Sequence, residues 1–304
     1  MRETSKFASY CKRTWPLHLL LLPAFLITLI YQYIPMLGAV IAFKDYKPWV
    51  GILDSPWIGL EHFKYLFTFP DSKQVIQNTL IIAFFKQILG VLVPVLFALL
   101  LNEVAKTAFK KTIQTLVYMP HFLSWVILGG IFVDVLAVQG GIVNRLLGLF
   151  GAEPIFFLGS NDWFRATVVL TDVWKEFGFA AIVFLSALAA VNPNLYEAAE
   201  MDGANRWRQT IYITIPAIMP IVVVVATLAL GRIMNAGFDQ IFNLYNPLVY
   251  ETGDIIDTFV YRIGLEGGQF SFGTAVGLFK SAIGFVLIIT CYRILYKVAD
   301  YRIF

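Results

Sequence analysis

The feature that most constrains this chain is its run of long apolar stretches. A bilayer core about 30 Å thick takes about 20 apolar residues of helix, and six stretches meet or approach that length: Leu17 to Ala42, Leu80 to Leu101, Leu116 to Val133, Ala166 to Ala190, Ile211 to Met234 and Thr274 to Leu295. Of the 304 residues 59% are hydrophobic and only 14% charged, and the mean hydropathy is +0.73. Soluble globular domains carry about 25% charge, so the expected fold class is an all-α integral membrane protein with six transmembrane helices. Arg2, Lys6, Lys12 and Arg13 precede the first stretch as they would in a signal peptide. The stretch is too long for an h-region, and no small-x-small pattern closes it. It reads as a retained span behind a polar segment 1–16, with one transmembrane domain over 17–304.

Six spans put both termini on one side. Cytoplasmic loops carry the excess of Lys and Arg. With the termini inside, the inner set holds Arg2, Lys6, Lys12, Arg13, Lys106, Lys110, Lys111, Arg206, Arg208, Arg293, Lys297 and Arg302. The outer set is smaller: Lys44, Lys47, Lys64, Lys73, Arg145, Arg165 and Arg262. The expectation is a cell-membrane protein with cytoplasmic termini and three long outer segments, Lys44 to Gln77, Asp134 to Arg165 and Asn235 to Gly273. The formal charge of +3 is small and dispersed, which excludes nucleic acid as a partner. Cys11 and Cys291 lie near opposite ends and read as isolated reduced thiols.

The inner connection 191–216 is the most patterned polar segment. It reads as helix, turn, helix: Asn194 stands three residues before Glu197, as in a capping box, and Gly203 falls where a helix end takes a left-handed residue. Leu195, Ala198, Ala199 and Asp202 share one face of the first short helix, which suits insertion into a groove on another protein. An ordinary loop with a helical turn fits the local pattern as well.

Glu197-Ala198-Ala199, three residues, Gly203, then Ile211 and Ile215-Pro216 resemble the cytoplasmic motif of ABC importer permeases in residue type, spacing and place between the fourth and fifth spans. Gly59 to Phe63, Asn78-Thr79-Leu80, Asp257 to Arg262 and Phe279-Lys280-Ser281 resemble the oligosaccharide and polysaccharide branch of the maltose-type permeases. The resemblance implies a type I importer permease fold and a coupling helix formed by Glu197, Ala198, Ala199, Asp202 and Gly203. It further implies a second, related permease, two cytoplasmic ATPase subunits that hold the ATP and Mg, and an extracytoplasmic solute-binding protein. Whether the permease pair is identical or distinct stays open, as does a non-sugar solute or a secondary transporter driven by an ion gradient. The latter predicts inverted repeats, and the patterned loop has no second copy.

No catalytic or metal centre is legible. Gly273 to Ser281 lacks the spacing of a phosphate loop; Gly273, Gly277, Ser281 and Gly284 repeat at helical spacing and suit close interhelical packing. His18, His62 and His121 are scattered, and neither H-E-x-x-H nor G-x-S-x-G occurs. Charges within spans usually face a cavity, which singles out Lys86, Asp172, Lys175, Glu176, Arg232 and Lys280. Asp172 reaches Lys175 at i,i+3, an internal pair that accounts for both. The candidate substrate pathway is Trp174, Glu176, Arg232, Asn235, Gln240 and Lys280, a mixture of aromatic, amide and charge suited to a sugar. Lys86, Arg232 and Lys280, taken as unpaired cations, would suit an acidic oligosaccharide.

Overall fold

A computed structural model describes residues 2–299, with side-chain surroundings for residues 14–290 and 293. The side chains of Cys11 and Cys291 lie outside those described. Among the described residues the chain is helical, with one isolated bridge, Lys44 to Trp57. Four helices are long and apolar enough to cross a membrane: Thr14–Phe43, Ser72–Asn102, Arg206–Leu230 and Phe270–Thr290. Two bent pairs complete the set of six: Thr107–Phe122 with Trp125–Val135, and Asn161–Ala189 with Pro193–Met201.

The third span departs from the sequence reading of one helix from Leu116 to Val133. It is two helices that meet at 106°. Pro120 removes a backbone donor, and Ser124 caps a new helix by accepting from the Ile127 N–H at 3.4 Å. Its neighbours locate the bent chain along the bundle. Glu103, before its start, pairs with Arg206 at 3.0 Å. Val117 packs against Gly178, midway along the fourth span, so closely that a Cβ on Gly178 would fall 2.3 Å from the Val117 carbonyl oxygen. Beyond its end, the Leu158 carbonyl accepts from Asn246 at 2.8 Å beside Phe164, at the opposite end of that span. The inner turn is accordingly short, Glu103 to Lys106, because helix resumes at Thr107.

The second and fourth spans pack along their length and form the spine of the bundle. At one end Ala98, Ala181, Phe184, Leu188 and Ile218 join the second, fourth and fifth spans. At the other end the long connecting segments 44–77, 134–165 and 235–273 supply most of the buried core. Ile82, Phe164, Val168, Ile241, Val249 and Ile255 form one cluster; Leu66, Val75, Ile256, Phe259 and Phe272 form another. The outer segments therefore carry short helices, Glu61–Thr68, Ile142–Leu149 and Phe238–Leu244. The first span is peripheral, with no buried residue in its apolar window, and its segment Leu37–Phe43 packs on the last helix.

Candidate functional site

Two of the sequence segments singled out above, Asn78-Thr79-Leu80 and Asp257 to Arg262, meet in one buried polar clamp at one end of the bundle. Asn78, fully buried, donates to the carbonyls of Glu251 at 3.1 Å and Asp254 at 2.9 Å and accepts from Arg165 at 2.7 Å. Thr79 Oγ1 accepts from the Ile256 N–H at 2.8 Å. The Thr258 hydroxyl donates to Asp254 at 2.7 Å, and Arg262 pairs with the same carboxylate. Burial pushes the Asp254 carboxyl upward against the opposing pull of Thr258 and Arg262. Lys280 pairs with Asp257 at 2.6 Å. Lys280 is therefore paired, and the expectation that it is an unpaired cation is corrected.

A second polar group lies within the spans. Lys86, from the middle of the second span, faces Asp172 of the fourth at 3.4 Å. It also donates to the Ala236 carbonyl at 2.7 Å and to Gln240 Oε1. The fifth span breaks here, with turns from Gly231 to Met234 and irregular backbone to Gly237. Irregular backbone at membrane depth must find partners inside the protein, and Lys86 serves the Ala236 carbonyl. Gly237 makes the approach possible: its φ is +91°, and a Cβ would lie 2.9 Å from Lys86 Nζ. Gln240, fully buried, fixes the arrangement by donating to the Val168 carbonyl at 2.7 Å and Thr171 Oγ1 at 2.8 Å.

The intrahelical Asp172–Lys175 pair expected from spacing is not formed. Lys175 turns the other way. It pairs with Glu176 at 2.7 Å, donates to the His121 carbonyl at 3.0 Å and lies 5.7 Å from the centroid of the Trp125 ring. His121 Nδ1 is 2.7 Å from Glu176 Oε2, and its ring stacks on Phe179 at 4.0 Å. The break in the third span thus delivers His121 to the fourth span.

Lys86, Gln87, Asp172, Glu176, Arg232 and Asn235 line one cavity of about 470 Å³ between the second, fourth and fifth spans. Of the expected pathway residues, Glu176, Arg232 and Asn235 come together there. Gln240 stands behind the wall and bonds to Lys86. Trp174 packs edge-on against Phe132 at 5.6 Å and is not in the lining. Lys86 and Asp172 also line the cavity; both are charges within apolar runs, and Lys86, expected as an unpaired cation, is paired with Asp172.

At the opposite end the helix Pro193–Met201 lies at 66° to the fourth span. Its cap differs from the sequence reading: Asn192, not Asn194, accepts from the Asn194 N–H at 3.1 Å, because Pro193 suits the first helical position. Gly203 has φ +74° with open space around it, as expected of a helix terminator. The Ala204 N–H returns to the Ala199 carbonyl at 2.8 Å. Glu197, Ala198 and Asp202 are exposed, Leu195 is half-exposed, and Tyr196 bonds to Thr214 at 2.9 Å. The helix is thus braced to the base of the fifth span with its other side free.

A helical bundle of up to six spans with an exposed, end-capped helix at one end and a charged cavity between its spans defines a membrane permease subunit. The chain belongs to the family of binding-protein-dependent transport system inner membrane components, whose pattern it matches over residues 90–304. It is a transport subunit of an ABC importer and not an enzyme, which sets aside the ion-gradient alternative. The polygalacturonan/rhamnogalacturonan transport system permease protein YteP of Bacillus subtilis (strain 168) is 45% identical over 288 residues, 95% of this chain and 90% of that one. Protein LplB of the same organism is 44% identical over 277 residues, 91% and 87% of the two chains. A chain of a bacterial ABC transporter crystal structure, involved in the import of the acidic polysaccharide alginate, superposes with a TM-score of 0.88 at 38% identity, covering 96% of this chain and 99% of that one. A second structure of the bacterial alginate transporter, in complex with alginate pentasaccharide-bound periplasmic protein, matches with a TM-score of 0.87 at 38% identity, over 95% and 97%.

Proposed function

We propose that this permease carries an oligosaccharide across the cell membrane, with both termini cytoplasmic, and that the helix Pro193–Met201 receives the motion of an ATPase subunit. The observation that carries the substrate class is the near full-length likeness to permeases named for polygalacturonan and alginate transport. A cavity of about 470 Å³ lies within the roughly 300–1,000 Å³ of small-molecule sites, and its amides and charges suit hydroxyl groups.

The coupling reading rests on geometry. Glu197, Ala198, Asp202 and Gly203 are solvent-exposed, and Tyr196 and the Arg206–Glu103 pair tie the segment to the spans behind it. A push on this helix is passed directly to the fifth span, because Arg206 to Leu230 begins only a few residues later. ATP and Mg belong to two ATPase subunits, and a second related permease and an extracytoplasmic solute-binding protein complete the machine. A structure of the bacterial alginate transporter holds an alginate pentasaccharide-bound periplasmic protein, which supports a sugar-binding partner for this chain. Purification of the tagged chain from gently solubilised membranes tests this assembly. Recovery of an ATPase subunit and a second permease, with ATP hydrolysis that rises on adding sugar-loaded binding protein, is the expected result. Stimulation by a loaded non-sugar binding protein instead would reassign the solute.

A further inference from the structure

The charges around the cavity do not balance. Lys86 and Asp172 satisfy each other. Glu176 is already held by Lys175 and His121. Arg232 is left over: it lines the cavity, is exposed to it, and makes no ion pair or side-chain hydrogen bond among the described residues. It stands at the break of the fifth span, where backbone in turns from Gly231 to Met234 replaces helix, so its side chain is carried on a segment that interrupts the wall.

We propose that Arg232 is the specificity-determining residue of this permease and recognises a carboxylate on the travelling sugar, so that the substrate class is a uronate-containing oligosaccharide. The proposal rests on the oligosaccharide reading above and deepens it. A guanidinium is planar, always charged and matched to a carboxylate by two parallel N–H donors. In a cavity between helices its field is screened less than in bulk water, and a carboxylate entering there supplies the missing counter-charge. Glu176 does not take that place: its two oxygens face Lys175 and His121 at 2.7 Å each, and it forms no pair with Arg232 among the described residues. Asn235 is turned back on its own loop, accepting from the Gly237 N–H at 3.1 Å, which leaves its amide N–H groups free for hydroxyls beside the carboxylate.

The test uses the whole importer in proteoliposomes with saturating binding protein, and two probes, trigalacturonate and its full methyl ester. Variant-to-wild-type ratios for each probe cancel the preference of the binding protein. Arg232→Gln is expected to lower uptake of the acid by about tenfold or more, the loss of one charge-assisted contact, and of the ester by less than about twofold. Equal loss with both probes would overturn the proposal and make Arg232 a structural or subunit-contact residue. Should Arg232→Gln fail to assemble, Arg232→Lys keeps the charge without the fork: an acid-specific loss smaller than tenfold supports the proposal, and equal loss overturns it. A wild-type importer that carries neither probe but takes up a neutral oligosaccharide overturns the uronate proposal and leaves the oligosaccharide reading standing, whereas one that takes up no oligosaccharide at all removes that reading itself.

Discussion

Lys86 and Asp172 face each other across the second and fourth spans at 3.4 Å, and the same ammonium group holds the Ala236 carbonyl at the break of the fifth span. Three helices are therefore tied at one point beside the cavity. Removing one partner of a buried pair leaves an uncompensated charge and is destabilising by about 3 kcal/mol or more. Lys86→Met is expected to lower the melting temperature of the detergent-purified complex markedly. Lys86→Met with Asp172→Leu recovers part of the loss, since the charge is gone but the Ala236 carbonyl stays unsatisfied. A double variant no more stable than the single one would show that the ion pair is not what holds these spans.

Gly178 is where the broken third span touches the fourth. Gly178→Val places side chain where the Val117 carbonyl already lies 2.3 Å from an added Cβ, and overpacking of this kind is destabilising by about 1–3 kcal/mol. Gly148→Ala, with nothing within 4 Å, serves as the neutral control. Melting curves of the two variants decide it; equal stability would mean that the third span is free to move away from the fourth.

Asn78 links the second span to the outer loop through Arg165 and the carbonyls of Glu251 and Asp254. Asn78→Leu keeps the volume and removes every one of these bonds, leaving buried groups unsatisfied at about 1–3 kcal/mol. Trypsin cleavage after Arg262 is expected to accelerate in the purified complex. Cleavage at the wild-type rate would show that the loop is held by its apolar residues alone.

Much of this was legible in the sequence. Span length is a direct consequence of bilayer thickness, so the six apolar runs could be placed, and Gly203 announced a left-handed turn that the structure contains at φ +74°. The partners of charges were not legible. Asp172 sits three residues from Lys175, yet it takes Lys86 from another helix, because rotation of the fourth span about its axis is set by packing and not by spacing. Lys280 likewise found Asp257 across the outer end. The bend at Leu123 was written in Pro120 and Ser124, but an unbroken apolar run masked it. Pro193 after Asn192 was a clearer cap signal than Asn194 with Glu197.

The central claim is that the helix Pro193–Met201 transmits ATP-driven motion to the spans. The most direct test measures sugar uptake and ATP hydrolysis side by side in proteoliposomes holding the complete importer with Glu197→Lys or Gly203→Val. The first variant reverses charge on the exposed face; the second forces a β-branched residue into a backbone region that costs about 1–2 kcal/mol. The account predicts that both complexes assemble and hydrolyse ATP while uptake falls by about tenfold or more relative to hydrolysis. Uptake that stays in proportion to hydrolysis in both variants would contradict it.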